Sequence, residues 1–173
     1  MGSTPQELVK RVRGHTLDCR TGILLLPPEQ LGFEASLAAR YNTDGLDFVR
    51  FKGETLSATD RFLRLDQEVL LADLERLCQG RSYLGVGDTD CFLVYNFDLA
   101  LAALERLERR ALWNFLRDRF RKRSKGLVFA LSGKASELLP DESEQRVWRQ
   151  GQRWAILETT RHGVNGVSPE EKL

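Results

Sequence analysis

The chain reads as an α/β protein: a three-layer α/β/α sandwich on a mainly parallel five-stranded sheet. Three observations predict this. Residues 22–26, Cys91–Tyr95 and 127–131 are short, continuously apolar runs, the pattern of strands buried on both faces. Segments with helical spacing lie between them. Connections of that length join parallel neighbours by right-handed crossovers, because a tight turn joins only antiparallel strands.

The elements follow in order. Thr4-Pro5-Gln6-Glu7 is a helix start, with a capping hydroxyl, a proline at the first helical position and a carboxylate three residues after the cap. Leu8, Val9 and Val12 form its stripe and Gly14 ends it. Residues 22–26 form the first strand, and the alanine-rich stretch 35–39 predicts a helix that stops by residues 42–45. Residues 46–51 alternate apolar and polar, which predicts a half-buried strand. Residues 52–60, with Gly53, Ser57 and Thr59, read as a loop. Val69, Leu70, Leu71, Leu74, Leu77 and Cys78 mark a helix closing at Gly80, and Gly85, Gly87 and Asp88 a turn.

Cys91–Tyr95 is the third strand, after which Asn96 or Asp98 can cap a helix. Residues 99–120 are helical by spacing, and the charge-dense stretch 105–110 is a place for a break. Residues 127–131 form the fourth strand, ended by Ser132-Gly133. A short helix at 134–138 and a last strand at 154–157 complete one domain, 1–158. The polar stretch 159–173 reads as a flexible tail.

Composition narrows the function. At 173 residues the chain can bury a core, and its 42% hydrophobic and 29% charged residues are ordinary for a globular protein. A net charge of +1 provides no global attraction to nucleic acid or an acidic membrane. Cys19, Cys78 and Cys91, with His15 and His162, follow no metal-ligand spacing. The cysteines read as small core residues suited to a reducing cytoplasm. No apolar run reaches the roughly 20 residues of a membrane span. Met1-Gly2-Ser3 has no apolar segment behind it, so it reads as no signal peptide and could be a cloning scar. Ser36 has no nucleophile-elbow setting.

The stretch from Gly22 to Tyr41 is laid out as a phosphate-binding strand, loop and helix. A working loop reads GxxxxGK followed by Ser or Thr: backbone N–H groups cradle phosphate, the lysine neutralises it and the hydroxyl holds magnesium. With Gly32 at the second glycine, Pro27 takes the first, Phe33 the lysine and Glu34 the hydroxyl position. Pro27 and Pro28 have no N–H, Phe33 has no charge, and Glu29 and Glu34 would face an incoming anion.

With this order and this loop, the chain resembles the core of P-loop NTPases of the RecA and AAA-like branch over roughly residues 18–158. The resemblance implies a phosphate loop after the first strand, a Walker B acid ending the third and a polar sensor ending the fourth. Asn96 stands in the Walker B place and Ser132 in the sensor place. Phosphoryl transfer depends on the lysine, the magnesium and the acid that holds it. Loss of all three predicts no catalytic residue, no cofactor and no metal, leaving the degenerate positions Pro28, Glu29, Gly32, Phe33, Glu34 and Asn96. A narrower resemblance, which no particular residue string carries, is to small degenerate P-loop components of bacterial anti-phage systems such as BREX. It implies a cytoplasmic adaptor or assembly subunit with protein partners and no membrane.

Two further readings compete. An unorthodox ATP-binding or hydrolysing subunit would need a lysine or arginine from a partner. A nucleic-acid module would use the basic segment Arg117, Arg119, Arg121, Lys122, Arg123 and Lys125, interleaved with Phe115 and Phe120. The plainer reading of that segment is a solvated helix end, where cations complement the dipole. Trp148 with Arg146, Arg149 and Arg153 could anchor an interface. Asp88, Asp90 and Asp98 read as turn and capping residues, since the strand between Asp90 and Asp98 holds them too far apart for one metal. Asp47 and Lys52-Gly53-Glu54 have the wrong spacing for a nuclease centre.

Overall fold

A computed structural model describes residues 2–56, 65–79 and 90–159. Its strands are β1 (Thr21–Leu26), β2 (Asp44–Asp47), β3 (Cys91–Tyr95), β4 (Gly126–Ser132) and β5 (Trp154–Ile156), all paired in parallel in the order β2-β3-β4-β1-β5. The helices are α1 (Pro5–Arg13), α2 (Glu34–Arg40), α3 (Phe48–Thr55), α4 (Gln67–Leu77), α5 (Phe97–Ala102), α6 (Arg106–Asp118) and α7 (Glu142–Gln150).

Strand alternation sorts the core into two layers. Leu24, Leu26, Leu93, Val128 and Ala130 face α1 and α2. Ile23, Leu25, Phe92, Val94, Leu127 and Phe129 face the opposite side, with α3 to α7. The crossover from β1 to β2 travels toward one edge and uses the α2 layer. Every later crossover travels the other way and uses the other layer. Reversing both direction and face preserves the hand of the connection.

Several expectations are corrected. Residues 46–51 are not one strand: β2 ends at Asp47, whose carboxylate accepts from the Val49 and Arg50 N–H groups and caps α3. Phe48 and Phe51 are buried at helical spacing, and their place in an alternating pattern is incidental. Residues 52–55 continue that helix rather than a loop, whereas Ser57, Thr59 and residue 60 lie outside the described residues. Gly80, Gly85, Gly87, Asp88 and residues 160–173 lie outside them too. The helix after β3 does break, at residues 103–105, where the Glu105 and Glu108 carboxylates form a reciprocal capping box. The stretch 134–138 holds only a 3-10 turn, Ser136–Leu138, and the helix leading to β5 is α7.

At the N-terminal edge of the sheet the buried Arg20 uses all five N–H donors of its guanidinium. It donates to the carbonyls of Val12 (3.0 Å), Arg13 (2.8 Å), Asp90 (2.9 Å), Arg123 (3.3 Å) and Ser124 (2.8 Å). It ties the end of α1 to the starts of β3 and β4. Helix α1 lies close to the sheet because Gly126 has no side chain: a Cβ there would sit 2.6 Å from the Val12 side chain and 2.7 Å from its carbonyl.

Gly126→Ala should therefore lift α1 and lower stability by about 1–3 kcal/mol. Gly53→Ala, within α3 and with no atom within 4 Å of the added Cβ, should raise it by about 0.5–1 kcal/mol. Urea denaturation midpoints of the two variants test the opposite signs.

Candidate functional site

In an open parallel sheet, ligands gather at the C-terminal strand ends where crossovers diverge. Here that point lies between β1, whose connection runs toward β2, and β4, whose connection runs toward β5. Because β4 separates β1 from β3, the loops after β1, β4 and β3 stand side by side. The structure thus brings Pro28, Glu29, Gly32, Phe33 and Glu34 to the same sheet edge as Ser132 and Asn96.

The loop after β1 is folded on itself. Pro28–Gln30 form a 3-10 turn in which Gln30 N–H donates to the Pro27 carbonyl (3.0 Å) and Leu31 N–H to Pro28 (3.3 Å). Phe33 N–H donates to the Gln30 carbonyl (3.2 Å). Glu29 engages its own N–H, and the Thr159 hydroxyl donates to its carboxylate. The Thr159 bond first, then this backbone bond and the nearby Lys134, hold the Glu29 pKa below the usual carboxylate range. Gly32 has φ +90°, a conformation that side chains rarely adopt, and open space where its Cβ would be. The glycine serves the reversal of the chain. Three N–H groups of the loop, those of Gln30, Leu31 and Phe33, are thus bonded to its own carbonyls.

What faces solvent is a set of apolar side chains together with Glu29, Lys134 and Arg50. Phe33 is 60% exposed and Leu31 42%, and Val49 and Leu99 at the starts of α3 and α5 are also exposed. Tyr95, at the end of β3, lies among Glu34, Asp47 and Arg50; burial first, then the two carboxylates, push its phenol pKa up. Ser132 accepts the Lys134 N–H through its hydroxyl (3.3 Å) and so shapes the turn after β4.

Asn96 adopts a left-handed backbone at φ 56°, and its side chain makes no capping bond to α5. Asparagine tolerates this region better than other non-glycine residues, so backbone geometry explains its presence. Asp98 lies in the first turn of α5, where the dipole favours a carboxylate.

The basic segment lies at the other end of the molecule, before β4. Arg117 is bonded to Asp118 through both Nε (2.9 Å) and Nη2 (2.7 Å). Arg123 pairs with Glu75 and lies over the Phe120 ring, and Lys125 lies over Phe92. Arg119, Arg121 and Lys122 are exposed, although Arg121 donates to the Asp118 carbonyl (3.1 Å).

Trp148 is fully buried, so it is a core residue and no interface anchor. Its ring packs edge-on against Trp113 (6.1 Å), and the Arg153 guanidinium lies on it (4.7 Å). Arg149 is exposed over the Trp154 ring. Lys52 is bonded to the buried Asp73 (2.6 Å), which joins α3 to α4. Cys78 and Cys91 are buried, and desolvation pushes both thiols up to about 12.

Among the described residues no group of three or more His, Cys, Asp or Glu is placed to hold a metal ion, and no helix is long and apolar enough to cross a membrane. No protein-family model, curated protein or solved structure matches the chain.

If Asn96 serves the backbone, Asn96→Gly should leave stability unchanged or slightly higher, and Asn96→Ala should lower it by about 1 kcal/mol. Thermal unfolding of the pair, compared with the parent chain, checks the order.

Proposed function

We propose that the chain is a non-catalytic, P-loop-like α/β domain that acts as an adaptor or assembly subunit. It would hold an apolar and basic segment of a protein partner at the C-terminal strand edge. One observation carries this reading: the loop after β1 bonds its Gln30, Leu31 and Phe33 N–H groups to its own carbonyls and presents Phe33 with Glu29 and Glu34. The strand order supports the P-loop-like part, because it sets the ends of β1, β4 and β3 together.

Magnitudes favour a peptide over a triphosphate. A polyanion meeting Glu29, Glu34 and Asp47, with Phe33 in place of the loop lysine, would lose interactions that phosphoryl transfer relies on. An exposed aromatic among carboxylates suits a segment carrying lysine or arginine beside an apolar side chain. Apolar contact would supply affinity and charge would supply register. On the reading that the chain resembles small P-loop components of anti-phage systems, this partner would belong to a bacterial multi-protein complex.

Affinity capture with the full chain from its native host, followed by binding of the purified partner, tests the reading. Phe33→Ser with Glu34→Lys should weaken that binding by about tenfold or more with an unchanged Tm. Arg119→Gln with Lys122→Gln, at the opposite edge, should leave it alone. A partner that ignores the first pair and is lost with the second would refute the proposal.

A further inference from the structure

The groove between α1 and α2 holds a different kind of site. A cavity of about 410 Å³ between α6 and α7 contains Arg106, Arg109 and Arg110 but also Glu137, Asp141 and Glu142. There Arg110 bonds Glu144 (3.0 Å), and Arg109 donates to the carbonyls of Leu101 (3.1 Å) and Leu104 (2.7 Å). A second cavity, of about 390 Å³, has Arg117, Arg121 and Arg153 balanced by Asp18 and Asp118. The α1–α2 cavity, of about 320 Å³, is lined by Lys10, Arg13 and Arg40 with Gln6, Asn42 and Tyr41, and no carboxylate lines it. Among the described residues, none of those three cations forms an ion pair.

The plainer explanation is that the three cations complement helix C-termini, since Lys10 and Arg13 end α1 and Arg40 ends α2. It accounts for only part of the charge. Each helix end supplies about half a negative charge, and much of that is already engaged. Arg20 bonds the Val12 and Arg13 carbonyls, Gly14 N–H bonds that of Lys10, and Thr43 bonds that of Ala38 through both N–H and hydroxyl. About two positive charges remain in excess of the two helix ends. Tyr41 walls the groove with the Arg40 guanidinium over its ring (5.7 Å), while its hydroxyl is buried out of a ligand's reach.

We propose that this groove binds a small phosphomonoester. A phosphomonoester carries up to two negative charges and three terminal oxygens, which matches the three cations and the amides of Gln6 and Asn42. A carboxylate offers one charge and two oxygens and leaves more of this set unmatched. The cavity stands at the lower end of the range of about 300–1,000 Å³ for small-molecule sites, so the ligand is the size of a mononucleotide or smaller. The site is on the α1–α2 face, separate from the strand-end crevice, and does not depend on the adaptor reading.

Isothermal titration of the full chain with inorganic phosphate and with AMP tests this. Both probes should saturate at one site per chain below roughly 10 mM. Lys10→Gln with Arg40→Gln, both exposed positions, should weaken both by about tenfold or more. Added sodium chloride should weaken binding in the parent and less in the double variant. Absence of saturation by either probe, or an affinity unaltered in the double variant, would overturn the proposal.

Discussion

The guanidinium of Arg20 is the constraint on which the arrangement depends. Removing an arginine from water costs several kcal/mol, and it is tolerated here because each donor meets a carbonyl and none is left over. Those carbonyls belong to the end of α1 and to the residues entering β3 and β4, segments far apart in sequence. Arg153 repeats the device nearby, donating to the carbonyls of Cys19 (2.9 Å) and Arg117 (2.9 Å), and burial lowers its pKa. Two buried cations thus hold the N-terminal edge by backbone contacts.

Function is accordingly sought at the opposite edge. The loops after β1, β3 and β4 carry the exposed Leu31, Phe33 and Leu99 with Glu29, Glu34, Asp98 and Lys134, while Arg119, Arg121 and Lys122 cluster beside the Arg20 staple. The adaptor role proposed above would use the first of these edges. The cationic α1–α2 groove adds a place where a small anion could act on α1, the helix whose end Arg20 holds.

Much of the fold was legible because burial on both faces leaves a local signature. The apolar runs of β1, β3 and β4 are unbroken in sequence, and their helical connections dictate parallel pairing. Helix α7 was not legible: a single tryptophan, Trp148, does much of its burying, so no stripe appears. The run Asp141-Glu142-Ser143-Glu144 is nevertheless a helix-start signal, although Asp141 turns toward Arg106 (3.6 Å) and Arg110 (3.8 Å) instead of capping. Residues 46–51 were misread because Phe48 and Phe51 satisfy helix spacing while their neighbours satisfy alternation. Asp47, able to cap, decides between them. The degenerate loop positions could be read residue by residue, but the bonding of the Gln30, Leu31 and Phe33 N–H groups to the loop's own carbonyls could not. Arg20 and the Lys10, Arg13 and Arg40 set are assembled by long-range packing and leave no mark in local pattern.

The central claim is that the loop after β1 is closed to phosphate by its own hydrogen bonds. An amide-resolved NMR titration of the full chain with magnesium ATP tests it most directly. The account predicts that the Gln30, Leu31, Phe33 and Asn96 amides stay in place throughout. Saturable, magnesium-dependent shifts of those amides would contradict it.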